Sequence, residues 1–454
     1  MVGAAGKTTL SGQDADTNLS IIEISDAETS ISTTESEDQT FVGRTNTRSQ
    51  LSDEKATAVI PAAPNGAAKI LFFDGIRGLA AILVVIHHSK EYPTDKLHLG
   101  AVAVDTFFVL SSFLLTWLFM KKSMKLLAQQ AGAQTWTIAL LDYFQKRFFR
   151  VYPLFAVTAI VLSCVSTENQ QNFNVNKPED YDLGKVLLFY TGYRFHVFWT
   201  LPLEIGYYFV LPVFVAVVLG MRRFWWLGAV PLSVWIAHEG FYAYRNHHMP
   251  LAPHLHTFIM GSLGAVVFVK SDMWIKETRF TFRWWHTLVL RVVEGLAIAL
   301  MLSVCFDGLF FDWIHEDPVP AGPGFPFVSV QMTAIFVIEM IRPSCISTIF
   351  EWSVLRYWGK ISFSVYLLHC FIIYHPSIMQ EKKYFNRFFA RFGLVLLLAT
   401  ASYHLIERPS QLLAQRISRF LTAQDGKDFG TGLVRFTCIE RMNMKRQRVP
   451  VEEK

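Results

Sequence analysis

Residues 72–89 read FFDGIRGLAAILVVIHHS, an apolar stretch long enough to cross a bilayer as a helix. Arg77 and His88 lie in this stretch. Eleven residues advance an α-helix by about 16 Å and return the side chain to within roughly 20° of the same face. Ionisable side chains on one stripe of a membrane helix are costly to bury and usually face a polar interior. We therefore expect a functional site along this stripe. The alternative is that Arg77 reaches the lipid headgroups and His88 merely ends the span.

The whole chain has the composition of a membrane protein. Of its 454 residues, 52% are hydrophobic, 15% aromatic and 17% charged, and the mean hydropathy is +0.30. A soluble domain carries more charge, and apolar runs of about 20 residues recur along this chain. The composition predicts an all-α, polytopic membrane helical bundle in a lipid bilayer. The net charge of +5 does not indicate a nucleic-acid partner, because the basic residues concentrate at predicted helix ends.

About ten transmembrane helices are predicted, at 70–90, 100–120, 148–166, 200–220, 224–244, 253–270, 287–306, 325–341, 356–376 and 388–407. Segment 121–150 is basic, whereas loop 307–324 has four acidic residues and no Lys or Arg. Basic loops stay in the cytosol, so both termini should be cytosolic, in an endomembrane or the plasma membrane. The basic loop near 381–391 is an exception, because the count places it on the outer side.

Two polar tails flank the predicted membrane domain at 67–410. Residues 1–66 are rich in Ser, Thr, Asp and Glu, and such a segment buries too little apolar surface to fold. We expect a disordered cytosolic tail without a cleavable signal peptide. Residues 411–454 form a basic cytosolic tail, which either lies on an anionic leaflet or is simply solvated.

Polar residues predicted at the outer side of the bundle form a first candidate group. The helix directions bring together His88, Asp105, Glu204 and His369 at similar depth. A histidine beside a carboxylate in a low-dielectric site is a good general base, since the acid fixes the tautomer and stabilises the imidazolium.

Arginines predicted at the cytosolic side form a second candidate group. Arg147 and Arg150 lie three residues apart on one helix face, and Arg77 lies toward the same side. Guanidinium groups match phosphate geometry well, so the three predict a site for an anionic cytosolic ligand. The alternative for Arg147 and Arg150 is that they only flank a helix end. The cysteines show no metal spacing, and the histidines at 247–256 favour an interfacial loop, so no metal is expected.

Taken in order, these residues resemble the acyltransferase 3 family of integral membrane acyltransferases over about 70–410. The opening motif is Asp74, Gly75, Arg77, Gly78 and His88; the second is Val104, Asp105, Phe107, Phe108, Val109, Ser111 and Phe113, with Ser112 in place of a glycine. Arg147, Arg150, Tyr152 and Pro153 follow, then Trp199, Thr200, Leu201 and Glu204, with Ile205 in place of a second acid. Gly359 to His369 and Ile406 to Pro409 complete the match.

The resemblance implies transfer of an acyl group, commonly acetyl, from acyl-CoA as co-substrate to a hydroxyl of a small molecule or glycan. In the family, the pairs that match Arg77 with His88 and Arg147 with Arg150 are associated with donor handling and catalysis. We therefore expect catalytic roles for His88, Asp105, Glu204 and Arg77, donor binding by Arg77, Arg147 and Arg150, and acceptor contacts from Trp199 and His369. Direct transfer and a transient acyl-histidine both stay open. The long polar tail looks more like a eukaryotic, for example fungal, member, in which such enzymes decorate secondary metabolites.

Another class of protein would also bury Arg, His and Glu in its spans. A multi-span transporter or exporter of a small anionic or acylated molecule is therefore the alternative interpretation. Many transporters show paired repeats and interrupted helices, and the sequence shows neither.

Overall fold

The computed structural model describes residues 66–91, 97–171, 175, 181–190, 196–242, 250–306, 308–311 and 327–423. From Leu71 onward these residues belong to one compact unit. Residues 1–65 of the predicted N-terminal tail and 424–454 of the predicted C-terminal tail at 411–454 lie outside the described residues, whereas 411–423 is helical. His247, His248 and most of the acidic loop 307–324 also lie outside them.

Every regular element in the described part of the chain is helical, and each predicted span coincides with a helix. The helices are α1 (Gly66–Ser89), α2 (Leu99–Ala128), α3 (Ala133–Cys164), α4 (Thr200–Gly220), α5 (Trp226–Tyr242), α6 (Leu255–Thr278), α7 (Trp284–Cys305), α8 (Phe327–Ile341), α9 (Ser362–Ile373) and α10 (Tyr384–Ser402). Shorter helical segments are Thr167–Gln170, Leu183–Leu187, Cys345–Phe350, Ser353–Lys360 and Pro376–Met379.

The helices confirm an all-α polytopic membrane bundle. In the described residues, seven helical stretches are long and apolar enough to cross a membrane; they contain α1, α2, α3, α4, α6, α7 and α10. Two shorter apolar helices, Val328–Ile341 and Ser362–Ile373, accompany them. The 17-residue α5 completes the ten. A helix needs about 20 apolar residues to span the hydrocarbon core alone, so the shorter helices depend more on their neighbours.

Several predicted boundaries were too narrow because the helices continue beyond their apolar parts. Segment 121–150 is largely helical, since α2 runs to Ala128 and α3 begins at Ala133. Asp142 joins the two polar ends through ion pairs of 2.8 Å to Lys122 and 3.3 Å to Lys146. At the other end of the chain, the helix that begins at Tyr384 continues to Ala423.

The centre of the bundle is α2, which packs most extensively against α6 and also contacts α4 and α8. Gly261 of α6 permits the close approach, because a Cβ there would overlap Ser112 and the carbonyl of Val109. Small residues allow this kind of packing between membrane helices. A buried hydrogen bond of 2.7 Å from Thr116 to Ser262 links the same two helices.

The basic loop near 381–391 has a partner that explains its unusual charge. Arg387 donates to Glu91 over 2.6 Å through Nη2, and Arg391 donates to the carbonyl of Ser89 over 2.7 Å. Arg391 also forms an ion pair with Glu91, and both side chains are buried. These charges therefore attach α10 to the end of α1.

A second ion-pair cluster joins α7 to α8. Arg291 and Glu294, three residues apart on α7, form an ion pair, and Arg291 also reaches Glu339 at 2.6 Å. Glu339 accepts further hydrogen bonds from Ser344 and Ser347. This cluster satisfies charges at a helix contact.

Candidate active site

The segment Asp74–Gly78 of α1 is in close backbone contact with two short helices. A Cβ at Gly75 would overlap the carbonyl of Phe350, and one at Gly78 would overlap that of Leu355. Conversely, a Cβ at Gly359 would overlap the carbonyl of Asp74. The glycines in this segment therefore let α1 lie directly against the short helices at 345–350 and 353–360.

Arg77 is fixed by this packing and by an ion pair. Its Nη1 lies 2.9 Å from Asp74 Oδ1, and 18% of the Arg77 side chain is exposed. Asp74 is itself buried. A guanidinium held in this way keeps a defined orientation while part of it stays accessible.

The other predicted arginines lie close enough to Arg77 to interact with it electrostatically. Arg77 interacts with both Arg147 and Arg150 of α3, and Asp74 interacts with Arg150 and Arg356. The structure thus brings the predicted cytosolic group together and adds Arg356 to it. Three guanidinium groups interact with the Asp74 carboxylate and a fourth, that of Arg147, interacts with Arg77, so the region favours an anion.

A buried carboxylate to which the sequence analysis assigned no role in the site belongs to this region. Glu407 lies at the end of a π-helical turn, Tyr403–Glu407, and interacts with Arg150 and Arg77. Its carboxylate accepts hydrogen bonds from Ser364 at 2.9 Å and Gln411 at 3.1 Å. Turns of this kind occur often at functional sites. The signal that could have found it was the closing motif, Ile406 to Pro409.

Glu204 lies between the arginines and the predicted outer group. Its Oε1 accepts a hydrogen bond of 2.7 Å from Ser111 of α2. Ser111 follows Asp105 by six residues, which is about 9 Å along a helix. Glu204 also interacts electrostatically with Arg77 and with Tyr366 of α9. Glu204 therefore interacts with the arginine group through Arg77 and lies near α9 at Tyr366.

The two predicted histidines meet at the far end of the stripe. His369 Nε2 lies 3.2 Å from His88 Nδ1, and the ring centroids are 4.9 Å apart. His369 is fully buried, whereas His88 is half-buried. Each Nδ1 also lies beside backbone carbonyls of its own helix: Val84 at 3.0 Å for His88, and Val365 at 3.0 Å and Tyr366 at 2.8 Å for His369.

Asp105 and Trp199 lie on segments that pack against α9. Asp105 is buried in α2, and the ring of nearby Phe107 lies 6.2 Å from that of Tyr366 in α9. Trp199 packs with ring centroids 6.2 Å from Phe108 and 5.6 Å from His254. The hydroxyl of Tyr366 donates to the carbonyl of Val197 over 3.2 Å. The segment before α4, α2 and α9 therefore converge here.

Within the described residues, no group of His, Cys, Asp and Glu is arranged to hold a metal ion. His254 and His256 are both buried.

The fold and this region define an integral membrane protein whose first helix contributes Arg77 to an arginine cluster and, three turns away, His88 to a histidine pair. Residues 70–405 match the acyltransferase domain family Acyl_transf_3. The chain belongs to this family.

Similar curated proteins come from Staphylococcus aureus. A protein named putative O-acetyltransferase in strain COL is 23% identical over 372 residues, covering 74% of this chain and 56% of its own length. O-acetyltransferase OatA of strain NCTC 8325 / PS 47 is 22% identical over 398 residues, covering 80% of this chain and 60% of its own. The chain thus spans less than two thirds of these relatives. No solved structure matches it.

Proposed function

We propose that this protein is a membrane O-acetyltransferase. It moves an acetyl group from cytosolic acetyl-CoA to a hydroxyl of a small molecule, such as a secondary metabolite, or of a glycan. The observation that carries the proposal is the placement of Arg77 and His88 on one stripe of α1, with His369 of α9 beside His88. Family membership and the names of the two relatives support it.

The arginine cluster is the proposed site for the phosphates of the donor. Arg147 and Arg150 bind them, because guanidinium groups pair with phosphate in two-pronged hydrogen bonds. Arg77 is about 16 Å along α1 from His88, which exceeds the reach of its side chain. This distance favours contact between Arg77 and the extended arm of CoA over direct stabilisation of the reacting carbonyl. The basic segments predict that the end of the bundle with the arginine cluster, and both termini, face the cytosol.

The histidine end is the proposed site of chemistry. His88 removes the proton from the acceptor hydroxyl, and the oxygen attacks the thioester carbonyl. The tetrahedral intermediate then expels the sulfur of CoA, and the proton on His88 passes to that sulfur. The products are an acetyl ester and free CoA, and His88 returns to its starting state. Negative charge on Asp105 and Glu204 stabilises the imidazolium that forms in between, and Trp199 borders the acceptor.

Release of free CoA thiol from acetyl-CoA tests this proposal. Purified full-length protein in nanodiscs, supplied with a panel of hydroxylated acceptors, is expected to release CoA. His88→Ala is expected to lower the rate by at least about 10²-fold, the lower range for loss of a general base. The matched control is His375→Ala, which removes an exposed histidine near the same end. Equal rates for wild type and His88→Ala would contradict the assignment of the base.

Donor binding has its own test. Arg147→Gln with Arg150→Gln is expected to raise the apparent KM for acetyl-CoA about tenfold or more, since each charged hydrogen bond contributes about 1.5–3 kcal/mol. Arg222→Gln with Arg223→Gln removes two exposed arginines and should leave the KM unchanged. An unchanged KM in the first double variant would place the donor phosphates elsewhere.

A further inference from the structure

We propose that His369 is the positioning residue for His88: it accepts a hydrogen bond from His88 Nδ1 and so presents His88 Nε2 as the base. The inference rests on the proposed function for its catalytic consequence. The proposed position of the proton in the histidine pair depends only on the geometry of α1 and α9.

The protonation of His369 follows from its two backbone partners. Its Nδ1 lies 2.8 Å from the carbonyl oxygen of Tyr366 and 3.0 Å from that of Val365. A carbonyl oxygen can only accept, so Nδ1 must carry the proton. In the neutral ring the lone pair is then on Nε2, and this atom is the one that lies 3.2 Å from His88.

The protonation of His88 follows in turn. Its Nδ1 lies 3.0 Å from the carbonyl oxygen of Val84 and 3.2 Å from His369 Nε2. Both neighbours are acceptors, so Nδ1 of His88 must be the donor. The lone pair of neutral His88 is therefore on Nε2. A general base needs this lone pair in a fixed direction, and a partner at the other ring nitrogen is what fixes it.

The same contact strengthens during the reaction. When His88 Nε2 takes the acceptor proton, the ring becomes a cation and its Nδ1–H becomes a charge-assisted donor, which forms a shorter and stronger hydrogen bond. No proton needs to cross to His369. The burial of His369 keeps water from competing for the bond.

Besides His88, the thiol of Cys370 contacts the same nitrogen of His369. Its Sγ lies 3.1 Å from His369 Nε2. A thiol is a weak donor, so it cannot displace an imidazole N–H as the main partner. Cys370→Ala therefore serves as the control: it removes this contact and leaves both histidines in place.

The structural half of the proposal is tested by solid-state NMR on the full chain in lipid vesicles, with nitrogen-15 in its histidines. We expect a contact between one protonated and one unprotonated ring nitrogen that persists in Cys370→Ala and disappears in His88→Ala and in His369→Leu. A contact that is missing in the wild type, or that survives in either histidine variant, would overturn the proposal. This readout does not depend on acyl transfer.

The catalytic half is tested by kinetics of CoA release. His369→Leu should lower kcat about 10²-fold, which is near the lower end of the rate loss expected when a group that orients a base is removed. The KM for acetyl-CoA should stay unchanged within about twofold. His369→Gln returns an acceptor oxygen near the Nε2 position and should recover at least about tenfold. Equal kcat in His369→Leu and wild type, or no recovery in folded His369→Gln, would overturn it. The nitrogen contact without any CoA release would support the histidine geometry and contradict only the proposed function.

Discussion

Substitution of Gly78 by alanine tests whether backbone packing of α1 sets the position of Arg77. A Cβ at Gly78 would lie 2.9 Å from both the carbonyl carbon of Leu355 and the nitrogen of Gly359, and nearer still to the Leu355 oxygen. Ordinary contact begins at 3.4 Å, so α1 and the helix at 353–360 must separate by at least about 0.5 Å, the difference between these two distances. Overpacking of this kind costs about 1–3 kcal/mol, and sometimes more.

The displacement should affect activity more than stability. A misplacement of about 1 Å at a reacting geometry can lower the rate about 10²-fold, so we expect a loss of roughly tenfold or more in CoA release. Thermal unfolding in detergent should occur several degrees lower. Gly295→Ala is the control, because nothing lies within 4 Å of a Cβ there. Alanine in a helix interior is favoured over glycine by up to about 1 kcal/mol, so this variant should be as stable as wild type or more so. Wild-type activity and stability in Gly78→Ala would refute the reasoning.

Three further predictions concern stability, measured by thermal unfolding of purified protein. Arg391→Ala leaves Glu91 buried without its full ion pair and should cost about 3 kcal/mol; wild-type stability would argue against the pair. Hydrogen bonding from Arg387 lowers the pKa of Glu91, so this carboxylate stabilises the fold at neutral pH and loses that contribution as the pH falls below about 4.3, its unfolded value. Glu91→Gln should accordingly flatten the acid dependence, and an unchanged dependence would exclude this group. Ser262→Ala removes the hydrogen bonds to Thr116 and to the buried hydroxyl of Tyr207 and should cost at least about 1 kcal/mol, whereas no loss would show that these bonds contribute little.

The helices were predictable because their apolar runs are long, but their ends were not. The segment 121–150 is polar and basic, which is typical of a loop, yet α2 and α3 continue through most of it. Ion pairs between Lys122, Lys146 and Asp142 stabilise these ends. Hydropathy alone does not contain that information, since it does not register which charges face each other.

The charge pattern near 381–391 shows the same limit. Arg387 and Arg391 conflict with the rule that basic loops are cytosolic, and their explanation is Glu91, nearly 300 residues earlier in the sequence. A pairing over this separation depends on how α1 and α10 pack. The sequence could show the exception, but not its cause.

The candidate site was predictable as a set of residues and less so as a set of contacts. Spacing along α1 indicated Arg77 and His88, and the helix directions indicated that His369 would lie near His88. The bond from Ser111 to Glu204 and the burial of Glu407 beside Ser364 depend on rotamers and on a π-helical turn. Ser112, which replaces a glycine of the family motif, packs where α6 has Gly261, so the space is provided by the neighbouring helix.

The central claim is that His88 drives transfer of an acetyl group from acetyl-CoA to a hydroxyl. The most direct measurement follows carbon-14 from [acetyl-14C]CoA in nanodiscs that contain the full chain and a panel of hydroxylated acceptors. We expect label in an alkali-labile acetyl ester in equal amount to the CoA released, with both products lost in His88→Ala and kept in His375→Ala. Ester formation that continues in folded His88→Ala, or the absence of any labelled ester from folded wild-type protein, would contradict the account.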